Sequence, residues 1–289
     1  MVVKQKILVT GANGQLGKEL QAIASAFAIF DFIFLTREEL AIDDAASVNT
    51  VFEKYAPQYC INCAAYTAVD KAETDRDNAF AVNAEGPSNL ATASKKYNTR
   101  FIHISTDYVF NGQASAPYAT DAPTDPQGIY GESKLAGERK AVDNNDQSVI
   151  IRTSWVYSEF GKNFVKTMIR LMSEKPEISV VSDQVGSPTY AADLAKAILQ
   201  IISSGNWHPG IYHYSNTGII SWFQFAEAIK EISGSNCQVK PIPSSAYPTP
   251  AKRPAYSAMD LSKITAVYGI DPPSWRESLQ VCLNALSKS

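Results

Sequence analysis

The chain is poor in the residues that would announce several function classes. It has four cysteines and three histidines in 289 residues, too few for a disulfide scaffold. His103, His208 and His213 show no metal-ligand spacing, and His103 reads as a satisfied strand residue. Cys60 and Cys63 form a C-x-x-C, but they fall in an apparent strand, Tyr59 to Cys63. At roughly 3.3 Å per residue their Cα atoms would stand about 10 Å apart, beyond disulfide reach, with side chains on opposite faces. They are expected to be small core residues. Charged residues make up 19%, and the net charge of −3 is interspersed, so no basic face offers itself to nucleic acid or membrane. The longest apolar stretch, Ile23 to Leu35, is broken by Asp31 and falls short of the ~20 residues that span a bilayer. Met1-Val2-Val3-Lys4 runs straight into a strand without a secretory pattern, so a cytoplasmic location is expected.

What is present is an alternation. Strand patterns at Lys6 to Thr10, Ile29 to Leu35, Tyr59 to Cys63, Arg100 to Ser105 and Ser148 to Arg152 are separated by helical ones. The helices are expected at Leu16 to Phe27, Ala45 to Tyr55, Ala79 to Tyr97 and Tyr130 to Val142. This order predicts an α/β fold, a Rossmann-type doubly wound parallel sheet. After Arg152 the rhythm changes. Helices are expected at Asn163 to Met172, Ala191 to Ile202, Ser221 to Ile232 with Ser221 as N-cap, and Trp275 to Leu286. Gly210 to Tyr214 reads as a strand, and the five prolines of Pro241 to Pro254 predict an extended loop. The expected division is a dinucleotide unit, residues 1–153 with return elements at about 189–214, and a smaller C-terminal substrate-binding lid, residues 154–188 and 215–289.

The first strand ends in Gly11-Ala12-Asn13-Gly14-Gln15-Leu16-Gly17. Glycines there let the backbone turn and approach a pyrophosphate, and the helix start offers N–H groups and a positive dipole end. After the second strand an NAD site usually carries an acid for the ribose; here Arg37 stands there, fit for the 2′-phosphate of NADP. The alternative is a solvated surface arginine. NADPH is the expected cofactor, with NADH use persisting because no acid is expected to repel the phosphate and none to grip the free ribose.

Tyr130 and Lys134, four apart at a helix start, share a face. An adjacent ammonium is expected to lower the phenol's pKa from near 10 and ease proton delivery to a ketone oxygen as hydride reaches the carbon. Thr106, at the C-terminal end of a strand, can bond the same oxygen, or else simply cap the strand. Asn83, polar within an apolar helix, is expected to bond a bulged backbone or a water near Lys134; a core amide pair is the alternative.

These residues resemble those of the extended short-chain dehydrogenase/reductases. The resemblance covers nearly the whole chain and is closest to the reductases of dTDP-linked 4-keto-6-deoxy sugars. It is carried by Asn62 to Glu73, Ser105 to Phe110, Tyr130 to Glu138, Arg152 to Tyr157, Asp183 to Thr189 and Tyr247 to Pro254. The resemblance implies hydride transfer from NADPH to the 4-keto group of dTDP-4-dehydro-6-deoxy-L-mannose, with Thr106, Tyr130 and Lys134 acting on the ketone. Lys134 would also hold the nicotinamide ribose, while Ala64, Ala65 and Tyr66 would line the cofactor. Thr67, Val69, Asp70 and Trp155 would flank the sugar, Asn163 the nucleotide, and Asp107, Gln184 and Arg253 would complete the substrate site. Near the adenine the family pattern is altered to Ala41-Ile42-Asp43, leaving Ile42 and Asp43 to make those contacts. Some relatives bridge subunits with Mg²⁺; Glu19 keeps one carboxylate, but the second position reads Ala192 with Asp193 next, so no metal and a monomer or weak homodimer are expected. Two other readings are a non-catalytic dinucleotide-binding regulatory subunit and an NAD-retaining epimerase or dehydratase. The complete Thr106, Tyr130, Lys134 and Trp155 set argues against the first, Arg37 against the second.

Overall fold

The computed structural model describes residues 4–288, so the expectation resting on Met1 to Val3 lies outside the described residues. Six parallel strands form the main sheet. In chain order they are β1 (Gln5–Thr10), β2 (Phe30–Leu35), β3 (Tyr59–Asn62), β4 (Arg100–Thr106), β5 (Val149–Thr153) and an edge strand, Gly210–His213. Their spatial order is edge strand, β5, β4, β3, β1, β2. Strand order reverses between β1 and β3, which opens a crevice at their C-terminal ends, where ligands bind in such sheets.

Period-two alternation sorts the strands' side chains onto two faces. Ile7, Val9, Ile61, Ile102 and Ile151 pack with α1 (Gln15–Ile23) and the helix Ala191–Ser203. Leu8, Cys60, Phe101 and Ile150 pack on the other face with residues of the helices Ala45–Tyr55, Gly86–Lys96 and Ile129–Asn144. The cysteines of the C-x-x-C therefore separate: Cys60 is buried in the second cluster, and Cys63 packs against the first.

A separate cluster forms the smaller unit. It joins the helices Phe164–Glu174, Trp222–Ser233 and Trp275–Leu286 through Met168, Phe225, Ile229 and Leu279. Ser221 and Ser274 each close a capping box at a helix start. The expected boundary shifts at one place. Ile264 and Tyr268 of the helix Ser262–Tyr268, with Ile270, pack in the sheet cluster.

Three local expectations need correction. The long helix expected from Ala79 to Tyr97 is Arg76–Phe80, a π-turn at Ala81–Glu85, then Gly86–Lys96. Pro241 is not in a loop: it lies in the strand Gln238–Ile242, which pairs in parallel with Glu177–Val181. A two-stranded ladder has only edges, so a missing N–H is tolerated. His103 is half satisfied, with Nδ1 3.0 Å from Asn62 Nδ2 and Nε2 without a partner.

Candidate active site

The loop after β1 approaches β3 closely. Gly11 has φ +65°, and a Cβ there would lie 2.6 Å from the Ala64 nitrogen. Gly17 is constrained by packing, since its Cβ would meet the Gly11 carbonyl oxygen at 2.5 Å. Gly14 is the N-cap of α1, no side chain caps this helix, and its first turn holds no acid. Its leading N–H groups are thus left for an anion. Beneath the loop, Thr10 Oγ1 donates to Asn62 Oδ1 at 2.6 Å, and Asn62 reaches His103 across the next strand.

Two cavities meet at Asn13, Gly14, Cys63 and Ala65. The smaller, about 270 Å³, is lined by Gly11, Arg37, Ile42, Asp43 and Ala64 among others. Sequence reasoning missed Glu38, which lines it too. The Glu38 carboxyl is held below its ordinary range by backbone N–H and Thr36 bonding, so an acid does stand beside Arg37. The glycine loop, the uncapped helix start and the Arg37 end together fit a dinucleotide.

The larger cavity, about 540 Å³, is lined by Gln15, Leu16, Thr67, Val69, Thr106, Asp107, Tyr130, Lys134 and Trp155, all expected from sequence. Gly161 and Lys162 line it as well and were not foreseen. The helix Ile129–Asn144 delivers Tyr130 and Lys134 to it, and the end of β4 delivers Thr106. Gly131 and Gly137 let this helix seat closely, since a Cβ would strike the Tyr108 and Asn83 carbonyl oxygens, respectively. Lys134 is 2% exposed, and its Nζ donates to the Ile104 carbonyl at 2.6 Å. Burial lowers the Lys134 ammonium to about 8, partly offset by Glu138. Burial also raises the Tyr130 phenol to about 12, tempered by Thr106 and raised further by Asp107. The expected lowering of Tyr130 by Lys134 does not occur in this state, because removing a phenolate from water costs more than the neighbouring charge returns. Asp107, its Oδ1 accepting from Thr106 Oγ1 at 2.9 Å, is raised to about 6 by burial. Glu138 instead accepts from Ser105 Oγ and takes a bidentate pair from Arg152, fixing β4, β5 and the Tyr130 helix together.

Trp155 presents its ring from a left-handed backbone, φ +47°. One indole face is covered by Trp222, at 3.5 Å between centroids and 10° between planes. A Cβ at Gly186 would stand 2.9 Å from the Trp155 ring. Trp222, from a helix 67 residues away, gave no sequence signal beyond an aromatic at a helix start.

Several expected residues serve the site from behind. Asn83 sits in the π-turn and bonds the Tyr66 backbone. It accepts from Tyr66 N at 2.8 Å and donates to Tyr66 O and Ser133 Oγ, tying the loop after β3 to the Tyr130 helix. The Tyr66 hydroxyl donates to Asp75. Asp70 pairs with Arg253 at 2.7 Å, and Gln184 donates to Ser244 Oγ at 2.8 Å. Asn163 caps the helix Phe164–Glu174 and donates to Gln15 Oε1 at 2.9 Å. None of these six lines either cavity; five bond other segments, and Arg253 pairs Nη2 with Asp70 while its Nη1 stays buried without a partner. A surface hollow of about 740 Å³ between the helices Trp222–Ser233 and Trp275–Leu286 is lined by none of the expected residues. Among the described residues no cluster of His, Cys, Asp and Glu has metal-binding geometry, and no helix is long and apolar enough to cross a membrane.

Comparison with known proteins matches residues 5–288 to the family model described as the RmlD substrate binding domain. The spore coat polysaccharide biosynthesis protein SpsK of Bacillus subtilis (strain 168) is 44% identical over 284 residues, 98% of this chain and 99% of that protein. A dTDP-4-dehydrorhamnose reductase of Aggregatibacter actinomycetemcomitans is 38% identical over 285 residues, covering 95% of this chain and 97% of its own. Among solved structures, the dTDP-4-dehydrorhamnose reductase of Bacillus anthracis str. Ames in complex with NADP superposes with a TM-score of 0.95. It is 41% identical and covers 98% of this chain and 100% of its own.

Proposed function

The chain belongs to the RmlD substrate binding domain family, and on that premise we propose that it reduces dTDP-4-dehydro-6-deoxy-L-mannose to dTDP-L-rhamnose with NADPH. The observation that carries the reading is the convergence of Thr106, Tyr130, Lys134 and Trp155 on one cavity continuous with the glycine loop. Relatives named dTDP-4-dehydrorhamnose reductase match nearly end to end, and one of them is a complex with NADP.

The Gly11 to Gly17 loop, Arg37, Ile42 and Asp43 would hold NADPH, which would supply the hydride. The protein's own residues manage the proton and the geometry. Thr106 and Tyr130 bracket the ketone oxygen. As charge grows on that oxygen, Tyr130 gives up its phenolic proton. A phenol raised to about 12 remains protonated at neutral pH, and the nascent alkoxide is a stronger base than phenolate. Delivery is therefore downhill without a lowered tyrosine pKa. Lys134, an ammonium in a dry site below about 8, stabilises the developing charge, where low dielectric makes it effective. Trp155, which lines the cavity, offers apolar ring surface to the deoxysugar. The sheet unit holds the cofactor, and the smaller unit closes over the sugar nucleotide.

The test follows NADPH absorbance with dTDP-4-dehydro-6-deoxy-L-mannose, its isomers and UDP analogues, with product identified by mass. Consumption with the dTDP ketone and a two-hydrogen gain supports the reading. Binding of both ligands without consumption would favour the regulatory-subunit reading.

A further inference from the structure

A diphosphate in the catalytic cavity calls for positive charge, and few of the lining residues carry any. A sugar nucleotide brings a diphosphate, and only two cations line the cavity, Lys134 and Lys162. Lys134 is buried and committed to the Ile104 carbonyl. Arg253, which is not among the residues lining this cavity, pairs its Nη2 with Asp70 and keeps Nη1 buried without a hydrogen-bond partner. Lys162 is exposed, and among the described residues it has no ion pair or side-chain hydrogen bond.

The segment carrying Lys162 is held in place. Ser158 Oγ donates to the buried Glu19 Oε1 at 2.6 Å, and Phe160 N donates back to Ser158 Oγ. Asn163 Nδ2 donates to Gln15 Oε1 at 2.9 Å and to Ser158 O at 2.7 Å. Lys18 Nζ lies 5.8 Å from the centroid of the Phe160 ring. Gln15, Lys18 and Glu19 share one face of α1, so the segment is pinned along that face. Gly161, at φ +67°, turns the chain against Gln15, where a Cβ would sit 3.1 Å from Cγ. Lys162 thus immediately precedes Asn163, the N-cap of the helix Phe164–Glu174, on a segment bonded to Gln15 at the start of α1, and helix N-termini favour an anion.

We propose that Lys162 is a diphosphate-binding residue of the catalytic cavity, presented by a segment pinned to the cofactor helix. The proposal rests on reading this cavity as the sugar-nucleotide site. The shared chemistry is a diphosphate, carried by the sugar nucleotide or by the dinucleotide.

The test measures binding of dTDP, thymidine and NADPH to the wild type, Lys162→Ala and Lys162→Arg, at two salt concentrations. A charge-assisted contact at an exposed position should make Lys162→Ala lose about tenfold in affinity for a diphosphate ligand. Loss confined to dTDP, absent with thymidine and largely restored by arginine, assigns Lys162 to the sugar nucleotide. Loss confined to NADPH assigns it to the dinucleotide. Affinities within twofold of wild type for both, or an equal loss for thymidine, would overturn the proposal. If the wild type turns over the dTDP ketone in that case, the functional reading stands and only Lys162 is reassigned. If the wild type binds no dTDP at all, both fall together.

Discussion

The two ends of the cleft use charge under opposite conditions. At the Tyr130 end the charged groups are dry: Lys134 is 2% exposed and Asp107 3%. Burial there moves Lys134 down to about 8 and Tyr130 up to about 12. At the Arg37 end the groups are open to water, and two acids, Glu38 and Asp43, share the cavity with the arginine. A buried charge gains from low dielectric, whereas an exposed one is screened. The same one-residue change should therefore act on rate by orders of magnitude at one end and on selectivity by about tenfold at the other.

Lys134→Ala tests the dry end most severely. Turnover should fall by about 10²–10³-fold, and NADPH should bind more weakly because the same side chain is assigned to the ribose. Stopped-flow turnover and NADPH titration read the two losses separately. Trp222→Ala probes the boundary between the units. Loss of a stacked ring contributing about 1–1.5 kcal/mol should raise the sugar-nucleotide KM up to about tenfold and leave NADPH affinity near wild type. Equal loss for both ligands would mean the Trp155–Trp222 stack serves folding rather than the sugar.

At the open end, Arg37→Ala should narrow the NADPH over NADH preference by about tenfold in kcat/KM, the lower end for a charge-assisted bond. Glu38→Gln should widen it, since an acid beside the 2′-phosphate site is removed. A wild type that uses both cofactors equally would make Arg37 an ordinary surface residue. The smallest effect concerns Glu19, on the buried face of α1 and 2% exposed, whose carboxyl burial raises to about 7. A raised carboxyl contributes stability below its unfolded pKa and loses it as pH rises through about 7. Glu19→Gln should therefore gain Tm relative to wild type at pH ~8 and little at pH ~5. A difference independent of pH would show that Glu19 is not titrating there.

How much of this was legible depended on distance along the chain. The parallel sheet, the glycine loop and the Tyr130–Lys134 pair are written locally, in alternation, turn residues and i,i+4 spacing. Ala45–Tyr55 and Trp275–Leu286 match their expected bounds. Contacts made between remote segments were not legible. Glu177–Val181 pairs with a proline-bearing strand some 60 residues on, and Trp155 meets Trp222 only after folding. The resemblance implies that Asn163 flanks the nucleotide; its amide also bonds Gln15, Ser158 and Phe160, contacts that only the folded chain brings together. The Tyr130 pKa is not legible in the sequence for a related reason. Sequence shows a neighbouring charge, whereas burial depends on everything packed around the ring.

The most direct test of the central claim, that Tyr130 is the proton donor of a hydride-transfer reductase, is Tyr130→Phe measured for turnover and NADPH binding in the same preparation. Turnover of the dTDP ketone should drop by about 10²–10⁴-fold, while the NADPH Kd stays within about threefold, a difference of under 1 kcal/mol. Near-wild-type turnover by the phenylalanine variant would contradict the claim.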